Sequence, residues 1–119
     1  MFANNAIVGA GGQAAVVCAS GDGGSPRFTT NDVYAGGDPA AEGSCADTAV
    51  SGTNFSLPPT FVAGANGRPY HLGPDSPLVD AGTNAAAAGL RRDIGGRPRV
   101  TDGGNGLVVD IGAFEYVPR

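Results

Sequence analysis

Five aspartates are spaced through the C-terminal part of the chain, Asp75, Asp80, Asp93, Asp102 and Asp110, with a single histidine, His71, just before them. Carboxylates in such number could serve as general acid and base, or could bind a hard cation. Each of the five, however, stands beside Gly or Pro or where a strand runs into a turn. Asp in those positions serves the backbone of the turn, and that is the expected role here, with Asp80, Asp93 and Asp110 as structural residues. His71 lies in a Tyr-His-Leu run with no Ser, Cys or Asp partner at a telling spacing, so a packed, hydrogen-bonded imidazole is expected rather than a catalytic base. The runs SGDGGS (residues 20–25) and DGGNG (residues 102–106) have the look of calcium-binding turns, yet neither repeats as a nonapeptide calcium roll does. No catalytic residue, metal site or cofactor is assigned.

All seven basic residues are Arg, and four of them, Arg91, Arg92, Arg97 and Arg99, fall within one short stretch. Two roles are open to this cluster. Its guanidinium groups can pair with Asp93, Asp102 or Asp110 and with turn carbonyls, or they can bind an anionic ligand. Tyr34, Tyr70, Phe114 and Tyr116 could form a sugar-stacking surface, the alternative being packing in the core. The formal net charge of −4 makes nucleic acid a poor partner.

The elements that must position these residues are short. Of 119 residues, 21 are Gly and 9 are Pro, while 41% are hydrophobic and only 15% charged. A disordered chain usually shows little apolar content and high charge, so the expectation is an all-β domain built largely of turns. Cys18 and Cys45 have no C-x-x-C spacing and no neighbouring His. A disulfide between them suits a small, loop-rich domain and would place it outside the cytoplasm; two buried thiols are the alternative. The first residues, MFANNAIVGAGG, lack the basic start and long apolar run of a signal peptide, so any export signal is expected upstream. No stretch approaches transmembrane length, and no membrane insertion is expected.

Short apolar runs alternate with turns: residues 3–8 (ANNAIV), 14–18 (AAVVC), 27–34 (RFTTNDVY), 53–62 (TNFSLPPTFV) and 70–72. Asn5, Asn31 and Asn54 each precede a few strand residues, at offsets of 26 and 23 positions. Such a period matches one coil of a β-solenoid, in which Asn side chains at equivalent corners stack into a ladder. A solenoid has open ends that something must cap, and residues 73–119 are expected to be that cap. Thr83 or Asn84 is expected to cap a short helix through AAAAGL, with Arg91 and Arg92 near its C-terminus. The last run is expected to be a terminal strand with Leu107, Val109, Ile111 and Ala113 on one face and Val108, Asp110 and Gly112 on the other.

The motifs SPLVDAG (residues 76–82), RRDIGGRPRV (91–100) and VVDIGAFEY (108–116) together resemble the C-terminal signature of secreted bacterial right-handed parallel β-helix proteins of the choice-of-anchor type, which are related to the polymorphic outer-membrane repeat proteins. TTNDVYAGG (29–37) and NGRPYHLGPDSP (66–77) resemble the last coil motif and the approach to the cap. The chain departs from that pattern at Gly95, where the family carries a second Asp, and at Pro58, where an acidic residue is common. The resemblance implies a short right-handed parallel β-helix of about three coils in residues 1–72, a C-terminal cap in 73–119 continuous with it as one domain, and an extracytoplasmic or cell-surface location. Three roles follow as expectations: a non-catalytic structural module, a carbohydrate-binding or carbohydrate-active fragment using the lateral face, or a small protein that self-associates through its exposed N-terminal coil edge.

Overall fold

A computed structural model describes residues 1–19, 26–37, 39–64 and 67–118. The turn expected at residues 20–25 lies outside them, as do Asp38, Ala65, Asn66 and Arg119. Among the described residues the protein is nearly all strand and turn. Ten strands of two or three residues alternate with bends, and the helical content is one 3-10 turn, Asn84–Ala87.

The strands are β1 (Phe2–Ala3), β2 (Ala6–Val8), β3 (Val16–Cys18), β4 (Phe28–Thr29), β5 (Asp32–Tyr34), β6 (Ala41–Gly43), β7 (Phe61–Val62), β8 (His71–Leu72), β9 (Thr101–Asp102) and β10 (Leu107–Val108). The first six form two rows laid in parallel. Phe2 pairs with Phe28, Ala6 with Asp32, and Val16 with Ala41. A third row begins at Phe55, which bridges Asp32 in parallel and exchanges backbone bonds with both neighbours, Phe55 N–H to Asn31 O (2.7 Å) and Val33 N–H to Phe55 O (2.9 Å).

The strands are short because each row turns a corner within a few residues. Asn4 and Thr30 occupy the same place in successive rows, and both adopt left-handed backbone, with φ 59° and 54°. Asn tolerates that region; β-branched Thr does so only under the constraint of its surroundings. Gly43 makes the corner beside β3, where its φ of +81° and the close approach of the Cys18 carbonyl leave no room for a Cβ. Next to it the Cys18–Cys45 disulfide ties the first row to the loop after the second. Cys45, Ala41 and Ala49 are buried there against Val16, Phe28 and Val50.

A second core joins the two halves of the chain. Leu72, Leu78 and Ile111 are buried together, with Ala6 and Phe55 from the rows and Phe61, Val79 and Tyr116 around them. Leu78 and Ile111 are fully inaccessible, each burial being worth roughly 1.5–3 kcal/mol. Residues 73–116 also reach the first row. The Asn4 side chain donates from Nδ2 to Thr83 O and accepts from Thr83 N–H at Oδ1, and Asn4 O accepts from Gly112 N–H.

This clasp overturns two local expectations. Neither Thr83 nor Asn84 caps the helical turn through its side chain. The Asn84 amide instead donates to Leu107 O and accepts from Val109 N–H. Distant partners win over the local cap, and without it the Ala run makes a single 3-10 turn ending at Ala87, so Arg91 and Arg92 lie beyond its last turn. The last run likewise does not alternate. β10 pairs antiparallel with β9 and ends at Val108; Val109, Asp110 and Ile111 are then buried in succession. Gly82 N–H donates to Val109 O, Ile111 N–H to Leu78 O and Gly112 N–H to Asn4 O. Residues 109–112 are thus bonded to the 78–82 segment and to Asn4, and residues 109–111 have no exposed face.

Candidate functional site

Asn5, Asn31 and Asn54 come together in one line of amides. Asn5 Nδ2 donates to Asn31 Oδ1 (3.0 Å), and Asn31 Nδ2 donates to Asn54 Oδ1 (3.2 Å). The backbone N–H of Asn5 and of Asn31 reach the same two oxygens, each at 3.0 Å. Asn31 is fully buried and Asn54 nearly so. Buried amides need such partners, because an unsatisfied one costs about 1–3 kcal/mol. The line ends at Asn54, whose Nδ2 donates to the carbonyls of Phe28, Thr48 and Ser51.

The aspartates of the C-terminal region also hold backbone. Asp80 accepts from Gly103 and Asn105 N–H, and Asp102 from Gly104 and Gly106 N–H. Asp93 accepts from Gly95 and Arg97 N–H on one oxygen and from Glu115 N–H on the other. Asp110 accepts from Asp80 N–H on one oxygen and from Tyr116 N–H on the other. The N–H groups of Gly106 and Gly104 hold the Asp102 carboxyl below its ordinary value, and burial pushes Asp110 above its own. Asp75 lies exposed at a turn.

The arginine cluster divides. Arg99 is buried and forms an ion pair with Glu115 (2.7 Å), also donating to Gly112 O. The pairing of these arginines with Asp93, Asp102 or Asp110 is thus replaced, for Arg99, by Glu115, because those aspartates are occupied by turn amides. Arg92 donates to Gly96 O across its own exposed turn, while Arg91 and Arg97 are exposed. Arg91, Arg92 and Arg97 therefore lie on the outside of a tight turn that Asp93 organises, and Arg99 points into the core.

Glu115 is the acid that sequence reasoning passed over, although it stands in the VVDIGAFEY run. Its side chain has no exposed surface; Oε1 is held by Arg99 and Oε2 by Asp110 N–H. Burial raises it to about 7, the Asp110 charge adding to the rise and the Asp110 N–H and Arg99 opposing it. Asp32 was passed over as well. It is fully buried, one oxygen accepts from Leu57 N–H, the other has no partner among the described residues, and burial pushes its carboxyl up.

Two hollows border these residues. One of about 420 Å³ is lined by His71, Arg97, Glu115 and Tyr116. The Glu115 side chain is closed in, and His71 Nε2 is buried with no hydrogen-bond partner among the described residues. The imidazole stacks on Phe114 with ring centroids 3.8 Å apart, so His71 is packed as expected but its Nε2 is not hydrogen-bonded. Gly64 closes over it, as a Cβ there would strike the ring. The other hollow, about 740 Å³, runs along the first row and is walled by Tyr70, Leu90, Ile94 and Ala113.

The aromatic residues do not make one platform. Of the four named, Phe114 is buried, Tyr34 and Tyr116 are half-buried, and Tyr70 is well exposed, edge-on to Phe61. Among the described residues no group of three or more His, Cys, Asp or Glu could hold a metal ion, and no helix is long and apolar enough to cross a membrane. The chain matches no protein-family model, no curated protein and no solved structure.

Proposed function

We propose that this chain is a non-catalytic structural module: the terminal coils of a right-handed parallel β-helix, in the manner of the choice-of-anchor proteins, together with the region that closes them. The observation that carries this reading is the line of amides Asn5–Asn31–Asn54, whose members lie 26 and 23 residues apart in sequence. Rows repeated at that interval, each needing its neighbour for its backbone hydrogen bonds, are what a solenoid requires. The state of the carboxylates supports the non-catalytic part. Asp110 and Glu115 are buried and both accept from backbone N–H groups, and a general acid or base must be reachable by the proton it moves. An extracytoplasmic or cell-surface location belongs to the same proposal and is supported by the Cys18–Cys45 disulfide, which persists in oxidising compartments. Incubation with a panel of plant, algal and bacterial polysaccharides tests it: neither binding nor new reducing ends are expected, and reproducible depolymerisation would overturn the reading.

A further inference from the structure

Asn105 stands apart from the other asparagines among the described residues. The side-chain amides of Asn4, Asn5, Asn31, Asn54 and Asn84 are each hydrogen-bonded. That of Asn105 is exposed and meets no partner among the described residues. Asn105 is also the one among them that precedes a glycine. Gly106 has no Cβ to shield its nitrogen, so that nitrogen can attack the Asn105 side-chain carbonyl carbon. The new C–N bond closes a succinimide ring, and the side-chain NH2 leaves as ammonia, taking up the proton that the Gly106 amide loses. Water then opens the ring at either carbonyl, giving aspartate or isoaspartate.

The nitrogen that must attack is held, however. Gly106 N–H donates to Asp102 Oδ1 at 2.9 Å, and the preceding Asn105 N–H donates to Asp80 Oδ2 at 2.9 Å. The same turn contains a second step of this kind, Asp102–Gly103, where the Asp102 carboxyl carbon is the target. There Gly103 N–H donates to Asp80 Oδ1 at 3.0 Å. In both steps the attacking nitrogen is bonded to a carboxylate. Such bonds are the strong ones, and a fixed negative charge opposes formation of the amide anion that attacks. They also pin a backbone that has to rotate for the ring to close.

We propose that Asn105 is a site of spontaneous covalent modification, deamidating through a succinimide, and that Asp102 is the latch that keeps the reaction slow. Isoaspartate at this position lengthens the backbone by a methylene between two amides that Asp80 and Asp102 hold. Either product adds a carboxylate beside theirs. Both changes loosen the turn between β9 and β10. Just beyond that turn, Leu107 O and Val109 N–H are bonded to the Asn84 side chain, so deamidation weakens the tie between the 3-10 turn and the last strand.

The test follows Asn105 by peptide mapping and mass spectrometry while the intact protein ages at pH 8. A synthetic peptide of residues 101–108 (TDGGNGLV), in which nothing holds the Gly106 nitrogen, ages beside it. Deamidation is expected to be about tenfold slower in the protein than in the peptide, the rate equivalent of a hydrogen bond to a charged acceptor. Asp102→Ser in the protein should recover most of that factor, and the same change in the peptide should leave its rate unaltered. Asn84→Ala controls for general loosening, because it removes anchors of β10 and leaves Asp102 in place; its rate should stay near that of the wild type. Deamidation as fast in the wild-type protein as in the peptide overturns the latch. Absence of any product in the protein long after the peptide has converted overturns the modification site. Asp102→Ser that leaves the rate unchanged or slows it makes Asp102 a bystander or a general base, against the proposal. Equal acceleration by Asn84→Ala also counts against it, since hairpin mobility then sets the rate. If Asp102→Ser does not fold, hydrogen exchange at the wild-type Gly106 amide decides: exchange slower than in the peptide is expected, and exchange as fast as in the peptide removes the latch.

Discussion

The rows formed by residues 2–55 and the closing region of residues 73–116 hold their backbones by different chemistry. The rows use neutral amides: strand pairs in parallel, and a line of Asn side chains that donate and accept at each step. The closing region has few strand pairs and uses carboxylates instead, each gathering the N–H groups of one or two turns. A repeated row presents the same amide geometry each time, so an amide that both donates and accepts can pass the pattern on. Turns at unrelated angles present N–H groups from several directions, and a carboxylate, which only accepts, can gather them. The contrast carries over to pH. Amides do not titrate, whereas the buried carboxylates Asp110 and Glu115 are shifted upward by their surroundings.

Breaking the rows where they are covalently tied should have the largest effect. The Cys18–Cys45 bridge spans 27 residues, and closing a loop of that size stabilises by about 3–4 kcal/mol in the chain-entropy account. Replacing both cysteines by Ala is therefore expected to lower stability by about that much, with hydrogen exchange accelerating first at the amides of β3, β5 and β6. Unchanged urea midpoints would mean that the rows are held without it.

In the closing region the sharpest break is Arg99→Met. At pH 8 it leaves the Glu115 carboxylate buried without its cation, a loss of about 3 kcal/mol. Burial raises Glu115 from 4.5 to about 7, so between those values the folded protein binds a proton that the unfolded chain does not. The stability contributed by this group is full below pH 4.5 and is lost as pH rises through 7. Asp110 and Asp32, both also raised by burial, act in the same direction. The wild-type protein is thus expected to be more resistant to urea at pH 5 than at pH 8, and Arg99→Met to cost clearly less at pH 5, where Glu115 is protonated. Equal cost at both pH values would remove Glu115 as the partner that matters.

A smaller difference separates the interior rung from the end rung. Asn31 accepts two hydrogen bonds and donates to Asn54 Oδ1 and Phe2 O. Asn31→Ala should cost about 2 kcal/mol and Asn5→Ala about 1 kcal/mol, both independent of pH between 5 and 8. Thermal melts of the two variants side by side would show it; a larger loss at Asn5 would contradict the direction of the line.

What could be read in the residues follows this division. The rows were legible because their signal is local and repeated: Asn5, Asn31 and Asn54 each stand before β-type residues at near-equal spacing, and Gly marks corners such as Gly43. Much of the closing region was not, because its partners are distant in sequence. Nothing near Thr83 announces that Asn4, 79 residues away, will take its N–H and its carbonyl. Local rules therefore assigned Thr83 and Asn84 to a helix cap that they do not make. The same holds for Arg99, whose nearby aspartates were already committed to turn amides, leaving Glu115 as its partner. The expected alternation after Leu107 failed for a related reason, since period-two patterning presumes one solvent-facing side and residues 109–111 have none.

The central claim is that successive rows are stacked in parallel through their Asn side chains, and a ¹⁵N-edited NOESY spectrum of the wild-type protein tests it most directly. The account predicts cross-peaks from the Asn5 side-chain amide to protons of Asn31 and from the Asn31 side-chain amide to protons of Asn54. A well-dispersed spectrum of a folded protein that lacks both sets of cross-peaks would contradict it.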